Sequence, residues 1–349
     1  MNFGSDNVHG VDEAILDAIG AANTGTARAY GYDEWTAETE QRFRDVFECD
    51  LAAYLVVTGT AANSLALTAC CPPYGAVVCH AEAHITTDEC GAPELFTGGA
   101  KLMGVRGPAC KLTPAGVVGL FATLGRGEHE QRPSVLSLSN ATELGTLYTP
   151  SEVTALGALA RERRMHLHMD GARFANAVAR LGCTPAELTW QAGVDVLSFG
   201  ATKNGAMGVE AVVFFDKRLA EDFIYLRKRT GQLVSKNRFL AAQMLAYLDD
   251  DRWLRNARHA NAMADRLAAG FQALPGVRLP LPIEANAVFA ILPQALHDHL
   301  QRQGARYLVW PGDGPGTETV GEGHVFIRLL TSFRTSAGDV DALIAAAAR

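Results

Sequence analysis

The chain has seven cysteines but no Cys-x-x-Cys pair. Their number is odd and Cys70 and Cys71 are adjacent, a pattern that fits buried or free thiols rather than a disulfide framework. Free thiols in a reducing cytoplasm are expected. No uninterrupted apolar stretch reaches membrane-spanning length. The opening Met1-Asn-Phe-Gly-Ser-Asp6 has neither the cationic start nor the apolar run of a signal peptide. No basic tract occurs, and the net charge is −7. The positive face that nucleic acid requires is therefore missing. No Gly-x-Gly-x-x-Gly follows an early strand, which removes a dinucleotide site. There is no Ser/Gly linker and no internal repeat. Charged residues make up only 20% of the 349 positions, against 48% hydrophobic ones. That balance implies a well-filled core in one or two domains.

What is present is alternation. Short apolar runs read as strands at Tyr54–Val57, Val77–Cys79, Lys101–Val105, Val135–Leu138, Met165–Met169, Val194–Phe199 and Ala211–Phe215. Helical spacing marks Val11–Ile19, Thr36–Glu48, 61–70, 150–164 and 173–181. Such alternation predicts an α/β fold, a mainly parallel seven-stranded sheet with helices on both faces. Residues 217–270 read as long helices, including Arg238–Leu248. Beyond Leu274 a strand–helix–strand section ends in an Ala-rich helix, Asp339–Arg349. The expected division is an N-terminal arm and helix at 1–25, a large domain at 26–250 and a smaller C-terminal α/β domain at 251–349. Gly312–Gly316 reads as a surface turn.

Two strand ends carry chemistry. Met165–Met169 leads into Asp170-Gly-Ala-Arg173, and Val194–Phe199 leads into Gly-Ala-Thr-Lys203. Ligands of open α/β sheets bind beyond the carboxyl ends of the strands. A lysine amine there can condense with an aldehyde, and an aspartate can hold a pyridine nitrogen protonated. That pair suits pyridoxal 5'-phosphate. Alone, an aspartate is a turn residue and a lysine a surface charge, so upstream support matters. The turn Thr58-Gly59-Thr60, with Ser64 beyond it, opens a helix after a strand and offers free amides and a dipole to a phosphate. His84 follows another strand, where an imidazole could lie over a flat ring. His166-x-His168-x-Asp170 allows a competing metal reading, but a metal needs three or four converging ligands.

Taken together, the chain resembles the threonine aldolase branch of fold-type I pyridoxal-phosphate enzymes, within the wider β-eliminating lyase group. The resemblance rests on Ser5-Asp6-Asn7, Tyr30-Gly-Tyr32-Asp33, Thr58-Gly59-Thr60, Ala83-His84-Ile85, Leu167-His-Met-Asp170-Gly-Ala-Arg173, Ser198-Phe-Gly-Ala-Thr-Lys203 and Phe326-Ile-Arg328-Leu-Leu-Thr331. It covers nearly the whole chain. It implies cleavage of β-hydroxy-α-amino acids such as threonine or phenylserine to glycine and an aldehyde. The alternatives are a pyridoxal-phosphate β-eliminating lyase and a non-catalytic cofactor-binding relative. By resemblance Lys203, His84 and Asp170 are catalytic. Thr58, Gly59, Thr60, Arg173 and Lys236 join them in holding the cofactor. Ser5, Arg173, Arg328, Tyr32 and Thr142 hold the substrate. The family's sites lie at a dimer interface, so a homodimer or homotetramer is implied, with Lys236 or Arg238 reaching a neighbour's phosphate. One departure stands out. Where many members have Glu-Asn-Thr-His-Asn, this chain has Ser139-Asn-Ala-Thr-Glu143, with Thr142 at the histidine's place. The base for the substrate hydroxyl is thus open between His84, a cofactor-linked water and a group near Thr142 and Glu143.

Overall fold

A computed structural model describes residues 1–311 and 319–349. The Gly312–Gly316 turn lies outside the described residues. Ten strands form two sheets among those described. In the large sheet they are β1 (Ala52–Val56), β2 (Gly75–His80), β3 (Lys101–Val105), β4 (Arg132–Ser139), β5 (His166–Gly171), β6 (Val196–Gly200) and β7 (Glu210–Phe214). Their order is β1-β7-β6-β5-β4-β2-β3. Only β7 runs against its neighbours. The reason is length: residues 201–209 hold a single 3₁₀ turn, and a parallel return needs a crossover of about a dozen residues. The other strands are joined through helices and stay parallel. The inner strands β2, β5 and β6 are buried on both faces, in keeping with the apolar runs of β2 and β6, while edge strand β3 leaves Lys101 and Gly104 exposed.

Register sets the site. Ser139 of β4 pairs with Asp170 of β5, and Asp170 pairs with Ser198 of β6. Three polar residues therefore lie level at the carboxyl end of an otherwise apolar sheet. Behind them an aromatic cluster packs one face. Phe43 meets Phe199 edge-on at 5.3 Å, and Phe174 stacks on Trp253 at 6.3 Å.

The expected long helices of 217–270 are three: Phe223–Arg229, Arg238–Leu248 and Arg252–Gln272. Asp250 and Asp251 adopt left-handed φ of 49° and 55°, which ends one helix and redirects the next. The C-terminal section contains β8 (Ala287–Pro293), β9 (Leu308–Val309) and β10 (His324–Leu330), an antiparallel sheet of order β8-β10-β9. The chain's first residues join it. The Phe3 amide donates to Arg306 O at 2.7 Å, its carbonyl accepts from Leu330 N at 2.8 Å, and its ring is fully buried in that core. Fixing Ser5 and Asp6 beside β10 follows from that anchor. All seven cysteines are free thiols, and no helix among the described residues is long and apolar enough to cross a membrane.

Close approach of the chain after β5 to the end of β6 depends on glycine. A Cβ on Gly200 would sit 2.5 Å from Ala172 O and 2.7 Å from Ala172 Cα. Gly200→Ala is expected to lower stability by ~1–3 kcal/mol, the usual cost of forcing atoms into a packed interior. Gly119→Ala, in the helix Pro114–Phe121 with open space around its Cβ, should be neutral or stabilising by ~0.5–1 kcal/mol. Melting curves of the two variants check this; a Gly200→Ala protein as stable as the parent would contradict it.

Candidate active site

A cleft of about 270 Å³ opens beyond the carboxyl ends of β4, β5 and β6. Lys203 enters it from the 3₁₀ turn Thr202–Asn204 that follows β6. That turn is braced on several sides. Glu210 accepts from Ala201 N at 2.7 Å, and Asn204 Nδ2 donates to Tyr247 Oη and Trp253 O, both at 2.8 Å. Burial pushes the Lys203 amine below its ordinary value, and the Arg173 charge adds to this, against the pull of Asp6, Asp170 and Glu210. A neutral, nucleophilic amine is correspondingly easier to reach.

Asp170 is buried at the end of β5. Its Oδ1 accepts from Ala172 N and its Oδ2 from Asn63 Nδ2, each at 2.9 Å. Burial alone would raise this carboxyl. The charge of His84, the Ala172 bond and the charges of Lys203 and His168 outweigh that and hold it below the usual range. Asn63 also donates to Glu89 Oε1 at 2.8 Å, and the same oxygen lies 2.8 Å from His84 Nδ1. The bond to Glu89, aided by Asp170 and opposed by burial, pushes the His84 imidazole up. Burial likewise raises Glu89.

On the opposite wall two arginines differ. Arg173 is paired: its Nε and Nη2 donate to the two oxygens of buried Asp6 at 2.7 and 3.2 Å. Arg328, on β10, has no carboxylate partner among the described residues. Its guanidinium lies 4.7 Å from the Trp310 ring centroid, and its buried Nε has no hydrogen bond. Burial, then the like charge of Arg173, pushes it down to about 10. A cation left in this condition is costly and calls for an anion.

The structure brings Ser5, Gly59, His84, Thr142, Asp170, Arg173, Lys203 and Arg328 to one cleft. Thr58 caps the helix Gly59–Cys70 through Ala61 N, with Thr60 in its first turn. Thr58, Thr60, Tyr32 and Lys236 are not among the cleft-lining residues of the single chain. Tyr32 is 69% exposed, and Lys236 is exposed too. Arg238 donates to Thr24 O at 3.1 Å. Sequence reasoning missed Asn63, Glu89 and the pairing role of Asp6. Asn63 carried a faint signal: it lies four residues after Gly59, in an otherwise Ala-rich helix. Glu89 in Asp88-Glu89-Cys90 reads as an ordinary loop acid.

The metal reading fails on geometry. His168 is wholly buried, with Nδ1 2.9 Å from Ser137 Oγ and Nε2 3.0 Å from Ser198 Oγ. No group of three His, Cys, Asp or Glu that could hold a metal exists among the described residues. Pyridoxal phosphate, by contrast, suits the donor set. The Gly59 and Thr60 amides at a helix start offer an anion site. Buried Asn63 Oδ1 and Glu89 Oε2 have no partner, and the Lys203 amine and Asp170 carboxylate lie beyond neighbouring strands.

Comparison with known proteins agrees. A model of the beta-eliminating lyase family matches residues 2–294. The low specificity L-threonine aldolase of Pseudomonas aeruginosa is 49% identical over 314 residues, 90% of each chain. That of Escherichia coli is 28% identical, over 76% of this chain and 79% of its own. A threonine aldolase structure from Leishmania major superposes with a TM-score of 0.91 at 28% identity, covering 99% of this chain and 98% of that one. With its seven-stranded fold-type I sheet, this chain belongs to the beta-eliminating lyase family, in its threonine aldolase branch.

Proposed function

We propose that this protein is a pyridoxal-phosphate enzyme that cleaves L-threonine and related β-hydroxy-α-amino acids, phenylserine among them, to glycine and an aldehyde. The observation that carries the reading is the meeting of three groups in one cleft: a lysine with a lowered amine, a buried aspartate held ionised, and a buried arginine without an anion. Identity of 49% to a low specificity L-threonine aldolase supports the same choice.

Once bound, the cofactor supplies an electron-accepting ring. The chain's own groups do the rest. Lys203 would hold the cofactor through its amine, whose lowered proton affinity favours the nucleophilic form. Asp170 keeps a proton on the ring nitrogen because its own carboxyl resists protonation. His84, oriented by Glu89, would lie beside the bound ring. Arg328 takes the substrate carboxylate by a charge-assisted fork, with Ser5 beside it. Arg173, already bound to Asp6, adds positive field more than a free fork. Holding the substrate carboxylate and amine at two fixed points would set the orientation of the Cα–Cβ bond that must break. Thr58, Gly59 and Thr60 hold the phosphate. Exposed Tyr32 and Lys236, with half-buried Arg238, fit a second subunit completing the site, hence a homodimer or homotetramer, which we place in the cytoplasm. In this reading residues 26–250 bind the cofactor, and 1–25 and 251–349 close over it.

The purified holoenzyme is expected to convert L-threonine or L-phenylserine to glycine and aldehyde in equal amounts, and Lys203→Ala to make neither. Ammonia and a 2-oxo acid as main products, without glycine, would instead mean β-elimination.

Arg328→Ala should raise KM for threonine about 10- to 150-fold, from loss of ~1.5–3 kcal/mol of charged hydrogen bonding. Cofactor affinity, read by the visible absorbance of the protein, should change little. An unchanged KM with a large fall in melting temperature would make Arg328 a packing residue.

A further inference from the structure

The turn after β4 carries an acid that the roles above leave unused. Thr142 N donates to Thr146 O and Gly145 N to Thr142 O, both at 2.9 Å, and this tight turn sets Glu143 in the cleft wall. Its Oε1 accepts from His84 N and from Ser139 Oγ, each at 2.9 Å. Its own backbone N–H also reaches the carboxyl. The side-chain and inter-residue hydrogen bonds all fall on Oε1, and the carboxyl lines the cleft where a ligand can reach it.

Two of the other candidates for a base, Thr142 and His84, do poorly. The Thr142 hydroxyl is engaged by Thr146 Oγ1 at 2.8 Å and has no basic atom to offer. The His84 ring is bound to a buried glutamate that favours its charged, non-accepting form. We propose that Glu143 is the general base of this site, taking the proton of the substrate's β-hydroxyl. The inference rests on the aldol reading above. The Glu143 carboxylate accepts the O–H proton, and the O–H electrons become the aldehyde C=O as Cα–Cβ breaks. The Cα–Cβ pair stays with the glycine half, where a proton from solvent at Cα completes glycine, and the Glu143 acid then releases its proton to solvent. In synthesis the acid form returns its proton to the new hydroxyl.

Burial, opposed by the His84 amide and reinforced by Asp170, pushes Glu143 up to about 7. Charged or titratable groups within its electrostatic reach are Asp170, Arg173, Cys79, Cys110 and Tyr148, with His84 bound through its amide. A base works only when deprotonated, so kcat/KM should fall as pH drops through that value.

The test uses Glu143→Gln, which keeps an acceptor at Oε1 for His84 and Ser139, and Glu143→Asp, which keeps the carboxyl. The expected loss in threonine cleavage for Glu143→Gln is about 10²- to 10⁴-fold, the range for losing a general base. Exchange of the Cα proton of glycine, which has no hydroxyl, should fall far less. The limb near pH 7 should vanish in Glu143→Gln and persist in Glu143→Asp. An infrared titration of the cofactor-free protein should lose a protonated-carboxyl band near pH 7 in Glu143→Gln. Equal losses of cleavage and exchange would make Glu143 a prop for His84 and overturn the proposal. Cleavage within about threefold of the parent would overturn it too. If the parent cleaves no β-hydroxy amino acid, it is the aldol reading that fails.

Discussion

The buried charge of Asp170 is the constraint around which this site is arranged. An ionised carboxylate under a sheet of Val, Leu and Met is expensive, and it survives only where donors and opposite charges offset the loss of water. Each supporter comes from a different element. Ala172 N belongs to the turn after β5, Asn63 to the helix after β1, His84 to the chain after β2 and Lys203 to the turn after β6. Elements far apart in sequence must therefore arrive together before the carboxylate is stable in its charged form. The fold and the site are linked through that requirement.

A chain of carboxyls extends from that point with different proton affinities. Asp170 and Asp6 are held low, each beside a cation. Glu89 is raised, and Glu143 and Glu210 are each pushed up to about 7, chiefly by burial. Asp6, Asp170, Glu89 and Glu143 line one cleft, and acids of separate strength in one cleft suit the separate tasks proposed for them. The cations divide in the same way. Arg173 is neutralised by Asp6, whereas Arg328 keeps its charge for an incoming anion.

Much of this was legible in the chain itself. Seven apolar runs became seven strands; in the inner strands β2 and β6, burial on both faces calls for a mainly apolar run. Asp170 and Lys203 were readable because each ends such a run. Antiparallel β7 was implicit in the short 201–209 link. Other features were hidden. Nothing local predicts that Phe3 seats itself in the C-terminal sheet and so brings Asp6 to Arg173, 167 positions away. The breaks at Asp250 and Asp251 depend on left-handed backbone that a run of aspartates does not announce. Glu89 and Asn63 acquire meaning only through each other, as a tertiary pairing with no sequence spacing.

That a permanently charged Asp170 would keep the bound ring's nitrogen protonated is the central claim. Nitrogen-15 NMR of the holoenzyme loaded with ring-labelled pyridoxal phosphate measures it directly. A protonated pyridine resonance at neutral pH, moving to the neutral position in Asp170→Asn, is the expected result. A neutral nitrogen in the parent enzyme, unchanged by the substitution, would contradict the account.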